Sequence, residues 1–97
     1  MKVVYTEDAL ADLDQLLSYI AERNPAAAAH VAARIDAAVV AIAVFPNASR
    51  LDPETGVRER AVPGLPVLVI HTVSEDLVEI IAIFHTSRDP AAKRKKQ

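Results

Sequence analysis

Two pairs of cationic side chains in the second half of the sequence have the spacing to bind an anion. Arg58 and Arg60 are two residues apart in a β-prone stretch, so both point to the same face of a strand. His85 ends a later β-prone stretch, and Arg88 follows three residues on. Arginine binds phosphate or carboxylate through two parallel hydrogen bonds. These four residues are candidates for an anion site, with ordinary solvated strand and loop positions as the alternative.

The residues that the sequence lacks exclude most other kinds of active site. It has no cysteine, which excludes thiolate chemistry and fits a reducing, cytoplasmic environment. It has two glycines, so there is no glycine-rich phosphate loop. His30, His71 and His85 lie on different predicted elements without metal-ligand spacing, and no serine has a recognisable nucleophile context. We expect no metal and no cofactor, and we expect His71, with its apolar neighbours, to be a core histidine.

Length and charge predict one domain with a basic tail. A chain of 97 residues suffices for one modest core, which we place at 1–92. That segment carries seven basic and 13 acidic side chains, net −6. The tail at 93–97 adds four cations, Lys93, Arg94, Lys95 and Lys96. The tail is either a solvated terminus or a tethered cation for nucleic acid or an acidic partner. We find no uninterrupted apolar run of membrane-spanning length and expect no membrane partner.

Apolar spacing predicts two helices that pack as a hairpin. Residues 2–5 form a short β-prone run, and Thr6 is expected to cap a helix that reaches about Arg23. The apolar residues of this helix recur on one face, at Leu10, Leu13, Leu17 and Ile20. Asn24-Pro25 ends it, and a second helix, apolar on most sides, extends to about Phe45. The short break favours an antiparallel pair.

Three strands follow a loop at 46–56, and the last two are apolar on both faces. The predicted strands span 57–62, 67–73 and 77–85. Val67 and Val69 point to one face of the middle strand. Leu68 and Ile70 point to the other face. One helical hairpin covers one face of a sheet, whereas a face open to water should be polar. We therefore expect a partner, a second copy of the chain, or the loop and the tail to cover the second face.

Several of these stretches resemble the plasmid-stabilisation toxins of the ParE/RelE superfamily. The most specific are Arg-Glu-Arg-Ala-Val-Pro-Gly at 58–64 and the strand at 78–85, which ends in His-x-x-Arg-Asp. The segment Tyr-Thr-Glu-Asp-Ala at 5–9 and the leucine-patterned helix that follows it support the resemblance. The similarity covers about residues 2–90 and is closest to the ParE-like branch.

The resemblance implies the cytoplasmic toxin of a type II toxin–antitoxin pair, a growth inhibitor. Its fold would be α+β in the order β-α-α-β-β-β, a helical hairpin packed on a curved antiparallel sheet. This order agrees with the one that the residue patterns predict. The resemblance also implies a hetero-oligomer with a ParD-type antitoxin, whose unstructured carboxy-terminal arm wraps the toxin. DNA would be reached only indirectly, through the antitoxin or through the target.

The superfamily divides by target. ParE-like members bind and poison DNA gyrase, whereas RelE-like members cut messenger RNA on the ribosome with cationic and acid–base side chains. This sequence has no tyrosine or histidine after Arg88, which favours a gyrase-binding toxin that is not an enzyme. Under the alternative, a ribosome-dependent endoribonuclease, the catalytic residues would be Arg58, Arg60, His85 and Arg88. A third possibility is a toxin-like fold that serves only as a binding module.

These expectations assign two sets of contact residues. The candidates for target binding are Arg58, Arg60, His85, Arg88, Lys93, Arg94, Lys95 and Lys96. The candidates for antitoxin binding are Leu10, Leu13, Leu17, Ile20, Val67 and Val69. The first set is chosen for charge, and the second for apolar surface beyond what one small core requires.

Overall fold

The computed structural model describes residues 1–86, and its elements follow the predicted order. They are β1 (Lys2–Tyr5), α1 (Glu7–Arg23), α2 (Pro25–Val44), a 3₁₀ turn (Pro46–Ala48), β2 (Arg50–Leu51), β3 (Arg58–Ala61), β4 (Val67–Ser74) and β5 (Leu77–His85). The α+β arrangement of a helical hairpin on a sheet is confirmed. The additions are the 3₁₀ turn and β2, a two-residue edge strand, both inside the predicted loop. The boundary predicted between 92 and 93 lies outside the described residues.

Capping side chains determine where the helices begin and end. The Thr6 hydroxyl accepts a hydrogen bond from the Ala9 amide at 3.1 Å, which satisfies one free N–H of the first turn of α1. Asn24 serves both helices. Its amide donates to the Ile20 carbonyl at 2.8 Å and ends α1, and its side chain accepts from the Ala27 amide at 3.1 Å and starts α2. The predicted helix start and break are therefore confirmed.

The sheet is mixed, in the order β1-β5-β4-β3-β2. The strands from β2 to β5 pair antiparallel, as predicted, but β1 pairs parallel with β5. Parallel neighbours need a long crossover, and here the helices and three strands between Tyr5 and Leu77 supply it. The direction of β1 follows from this long connection and not from its own residues.

The helices cover one face of the sheet, which we call the helix-side face. Register pairs Val69 with Ile83 and His71 with Ile80 on this face. All four side chains are buried, and Val69 and Ile80 have no exposed area. They pack with residues of both helices in one cluster, in which α2 contributes Ile35 and α1 contributes Leu16. Among the described residues, 13 of the 15 buried hydrophobic side chains belong to this cluster.

Helix α2 is the more apolar of the two helices. By length and composition alone it could cross a membrane, since its mean hydropathy over 18 residues is 1.7. In the fold, one face of α2 is part of the core, through Ala28, Val31, Ile35, Ala38, Val39 and Ile42. Its other face exposes Val40 and Val44. The helix ends at Val44, and Phe45, which the sequence placed in the helix, follows it with 65% of its surface exposed.

Helix α1 caps an irregular part of β5. The register between β4 and β5 shifts there, so that Ile81 has no partner in β4. On the other side, β1 pairs with β5 only as far as Ile80. The Thr6 amide donates to the Ile80 carbonyl at 3.0 Å, and the Asp12 carboxylate accepts from the Ile83 amide at 3.0 Å. Thus α1 satisfies the backbone groups that β1 leaves unpaired.

The Asp12 carboxylate is expected to hold α1 on the sheet. Asp12→Ala leaves the partly buried Ile83 amide without its acceptor, which costs about 1–3 kcal/mol of unfolding free energy. Asp14→Ala is the matched control, because Asp14 is exposed on the same helix and gains the same helix propensity. Urea denaturation of the three proteins measures the difference. Equal stability of the two variants would contradict the role given to Asp12.

Candidate functional site

The face of the sheet that lies away from the helices carries an apolar groove, which we call the free-face groove. Its floor is formed by Leu68 and Ile70 of β4 and by Ile81 and Phe84 of β5. The groove encloses about 310 Å³. Both helices pack on the opposite face, so this apolar floor lies where a sheet in contact with water is usually polar. Such a surface is typical of a binding site.

The wall of the groove is the turn between β2 and β3. The Asp52 amide donates to the Val57 carbonyl at 2.8 Å, and the Gly56 amide donates to the Asp52 carbonyl at 2.9 Å. Gly56 has a φ of 75°, which a side chain would disfavour. The side chains of Asp52 and Glu59 form the polar rim, and Ile70 beneath the wall is 4% exposed. The loop therefore covers part of the second face, as one of the three predicted alternatives requires.

Two of the predicted antitoxin contacts lie on the wrong face. Val67 and Val69 are 3% and 0% exposed, because the helices cover them. They form part of the core, and this assignment is corrected. The alternation of β4 instead directs Leu68 and Ile70 to the free-face groove. Because both faces of this strand are apolar, the sequence alone could not tell which face the helices would choose.

The apolar face of helix α1 packs on the core except at its first predicted member, Leu10. Leu13, Leu17 and Ile20 are half-buried and pack against the core. Leu10 is 53% exposed, and it is therefore the member of the predicted set most open to a partner. The sequence reading missed Leu16, which is 4% exposed. The signal for it exists, since Ala9, Leu13, Leu16 and Ile20 also repeat at helical spacing.

Arg58 and Arg60 lie on the helix-side face, at the edge of the core. In register, Arg58 stands opposite His71 and Arg60 opposite Val69, both of which are fully buried. The Arg58 guanidinium donates to the Ser49 carbonyl, with 2.8 Å between Nη1 and O, and thereby fastens the segment before β2 to the sheet. Both arginines are half-buried. They share a face, as predicted, but it is not the face of the groove.

His71 forms a buried dyad with Ser49. Its Nδ1 lies 3.1 Å from the Val69 carbonyl, which can only accept, so Nδ1 carries the proton. Its Nε2 therefore accepts from the Ser49 hydroxyl, at 3.1 Å. Burial lowers the pKa of His71, and the charges of Arg58 and Arg60 lower it further against the opposing effect of the Val69 hydrogen bond. As expected, His71 is a satisfied core histidine that holds the segment before β2.

The candidate nuclease residues of the described range share the helix-side face but lie two strands apart. Arg58 and Arg60 are on β3, opposite His71 and Val69, whereas His85 is on β5, opposite Val67 of β4. Tyr5 packs against the core, and its pKa is raised by burial and by the Asp36 charge. The remaining candidates, Arg88, Lys93, Arg94, Lys95 and Lys96, lie outside the described residues. Within 1–86, no three His, Asp or Glu side chains are grouped to hold a metal ion.

Comparison with known proteins identifies the family. The sequence matches the model for the ParE toxin of the type II toxin–antitoxin system parDE over residues 3–90. The chain belongs to this ParE toxin family. It is 36% identical to Y4kP of Sinorhizobium fredii, a protein named as a toxin, over 84 residues, 87% of this chain and 86% of the relative. It is 37% identical to toxin RelE2 of Caulobacter vibrioides over 87 residues, 90% of this chain and 97% of the relative.

A solved structure has the same fold as this ParE-family toxin. A chain of the chromosomal ParDE system from P. aeruginosa superposes with a TM-score of 0.74, covering 86% of this chain and 92% of that one. The two are 23% identical, so the likeness concerns the fold. The predicted fold and the predicted type II toxin family are thus confirmed. The family relation also supports partnership with an antitoxin.

The buried His71 predicts a pH dependence of stability. Because its folded pKa lies below its ordinary value of 6.5, the unfolded chain takes up the proton first. Stability is full above about pH 6.5, and it declines as the pH falls from there to the folded pKa. Urea denaturation at about pH 7.5 and about pH 5 should show this loss in the wild type and a smaller loss in His71→Gln.

His30→Gln is the control for this measurement, since His30 is exposed on α2. It should keep the pH dependence of the wild type. A His71→Gln protein with the full wild-type pH dependence would contradict the assignment to His71.

Proposed function

We propose that this ParE-family toxin acts in the cytoplasm by binding DNA gyrase, and that it is not an enzyme. The observation that supports this is that the positive charges of β3 and the open apolar groove lie on opposite faces of the sheet. The open free-face groove has an apolar floor with Asp52 and Glu59 at its rim, whereas Arg58 and Arg60 lie on the helix-side face. The groove is suited to a protein segment, because an apolar floor gains free energy from apolar side chains.

RNA cleavage would need a different arrangement. Attack by a ribose hydroxyl requires a base, an acid and cations around one phosphate. The two carboxylates at the rim repel a polyanion, and the groove lining holds no histidine, lysine or arginine among the described residues. His71, the histidine closest to the arginines in register, is fully buried and committed to Ser49 and Val69. Binding is therefore the favoured mode of action.

A ParD-type antitoxin is the partner that we propose for the free-face groove. An arm that folds on binding loses chain entropy, so it needs apolar anchors, and the groove floor provides them. A stable interface buries about 1,200–2,000 Å² in total. The groove alone is too small for this, so the arm would extend to exposed residues of α1, of which Leu10 is the first candidate.

Endoribonuclease activity remains the second candidate function. The relative named RelE2 favours it, because 97% of the length of that protein aligns with this chain. Under this alternative, His85 supplies acid–base chemistry, and Arg58 and Arg60 supply the cations. His85→Ala would then abolish the cleavage of ribosome-bound messenger RNA that the wild-type toxin performs, whereas the gyrase proposal expects no cleavage by either protein. His30→Ala, on the exposed side of α2, is the control for loss of a histidine.

A gyrase assay with the purified toxin tests the proposal. Relaxed plasmid, gyrase and ATP are incubated with the toxin, and supercoiled and linear DNA are scored. A binding poison should stop supercoiling and accumulate cleaved DNA, and prior addition of the cognate antitoxin should prevent both. The same preparation is tested on messenger RNA bound to ribosomes.

Normal supercoiling together with cleaved messenger RNA would overturn the proposal in favour of the ribonuclease. Normal supercoiling, intact RNA and unimpaired growth on expression without antitoxin would indicate a toxin-like fold that serves only as a binding module.

A further inference from the structure

Strand β3 carries two arginines whose charges are not balanced within the described part of the chain. Arg58 and Arg60 are two residues apart on one face, which places their Cα atoms about 7 Å apart. Their register partners His71 and Val69 are buried, so the arginine stems start from the margin of the core. Both residues are half-buried, so part of each arginine is open to solvent.

Neither guanidinium has a carboxylate partner among residues 1–86. Arg58 donates only to the neutral carbonyls of Ser49 and Asn47, at 2.8 and 3.4 Å. Arg60 makes no hydrogen bond and no ion pair with any residue of this range. The ion pair found there joins Arg23 and Glu22 on α1. A half-buried cation without a counterion has lost part of its hydration without a compensating ion pair. An anion that binds there gains electrostatic free energy from both arginine charges.

A third guanidinium is fixed at the turn that follows β3. Arg34 of α2 donates to the Pro63 carbonyl. It lies against Gly64, where a Cβ atom would come within 2.7 Å of the Arg34 Nη2. Gly64 has a φ of 79°, so the turn favours glycine on conformational grounds as well. The Pro-Gly turn that follows β3 therefore leaves room for the Arg34 guanidinium.

We propose that Arg58 and Arg60 form a docking site for the carboxylates of an acidic protein segment. The planar fork of arginine matches a carboxylate bidentately. Naming the partner as a protein rests on the proposed function; the anion site itself does not.

The surroundings favour an acidic protein segment over nucleic acid. Residues 1–92 carry a net charge of −6, which opposes a long polyanion. Asp52 and Glu59 stand on the other face of the same β2–β3 edge, where a strand of phosphates longer than the site would meet them. A short acidic segment can instead place two carboxylates on the arginines and leave the rest of its length apolar.

Nuclear magnetic resonance of the arginine side-chain Nε–Hε groups tests the site directly. The probe is hexaglutamate, added to the full-length chain in which Lys93, Arg94, Lys95 and Lys96 are changed to Gln so that the tail does not compete. We expect saturable shifts of the Arg60 and Arg58 signals, and Arg60→Gln should raise the dissociation constant at least about tenfold. Hexaglutamine should give no shift.

Arg50→Gln is the matched control, because Arg50 is an exposed arginine in register with Glu59 and away from the site. It should bind hexaglutamate as the parent does, and Arg60→Lys should bind more weakly than the parent but more tightly than Arg60→Gln. Unmoved Arg60 and Arg58 signals, or equal affinity of Arg60→Gln, would overturn the proposal. Tighter binding of hexauridylate at the same signals would overturn it in favour of nucleic acid.

The residue-specific signals of the parent chain keep the test decisive if Arg60→Gln does not fold. The outcome is independent of the gyrase assay, since hexaglutamate binding requires neither gyrase nor antitoxin.

Discussion

The structure depends on one constraint: a five-stranded sheet with apolar residues on both faces has one helical hairpin with which to cover them. Burial of the helix-side face produces the single core, from Val69 and Ile80 to Ile35 of α2. Of the described residues, those of the turn between β2 and β3 cover part of the other face. A small chain gains most of its stability from one core, so it can leave the second face to a partner. The apolar groove follows from this division.

Polar contacts then fix the elements around the core. Asp12 accepts from the Ile83 amide, which β1 does not reach, and the Thr6 amide donates to the Ile80 carbonyl. Arg58, together with the pair of Ser49 and His71, fastens the segment that leads into the groove wall. The groove is thus held by buried hydrogen bonds on the opposite side of the sheet. Its shape is preorganised, which reduces the entropy lost when a partner binds.

Features that depend on neighbouring residues were predictable, whereas those that depend on distant packing were not. The caps at Thr6 and Asn24 follow from local hydrogen bonding, and the structure confirms them. The parallel direction of β1 depends on a crossover of some 70 residues. The face of β4 toward the helices could not be assigned, since valines occupy one face and Leu68 and Ile70 the other. The spacing of Arg58 and Arg60 correctly predicted that they share a face of the sheet. It could not predict which face, because the side that the helices cover was unknown.

The affinity of the cognate antitoxin for a Leu68→Glu toxin tests most directly whether the free face is the partner surface. Leu68 lies on the groove floor, so the variant should fold with an unchanged melting temperature and bind the antitoxin about a hundredfold more weakly. The control is Val69→Glu, because Val69 is the next residue of β4 and lies in the core. This variant should fail to fold, which would show that the opposite face of β4 is structural. A folded Leu68→Glu protein that binds the antitoxin as tightly as the wild type would contradict the account.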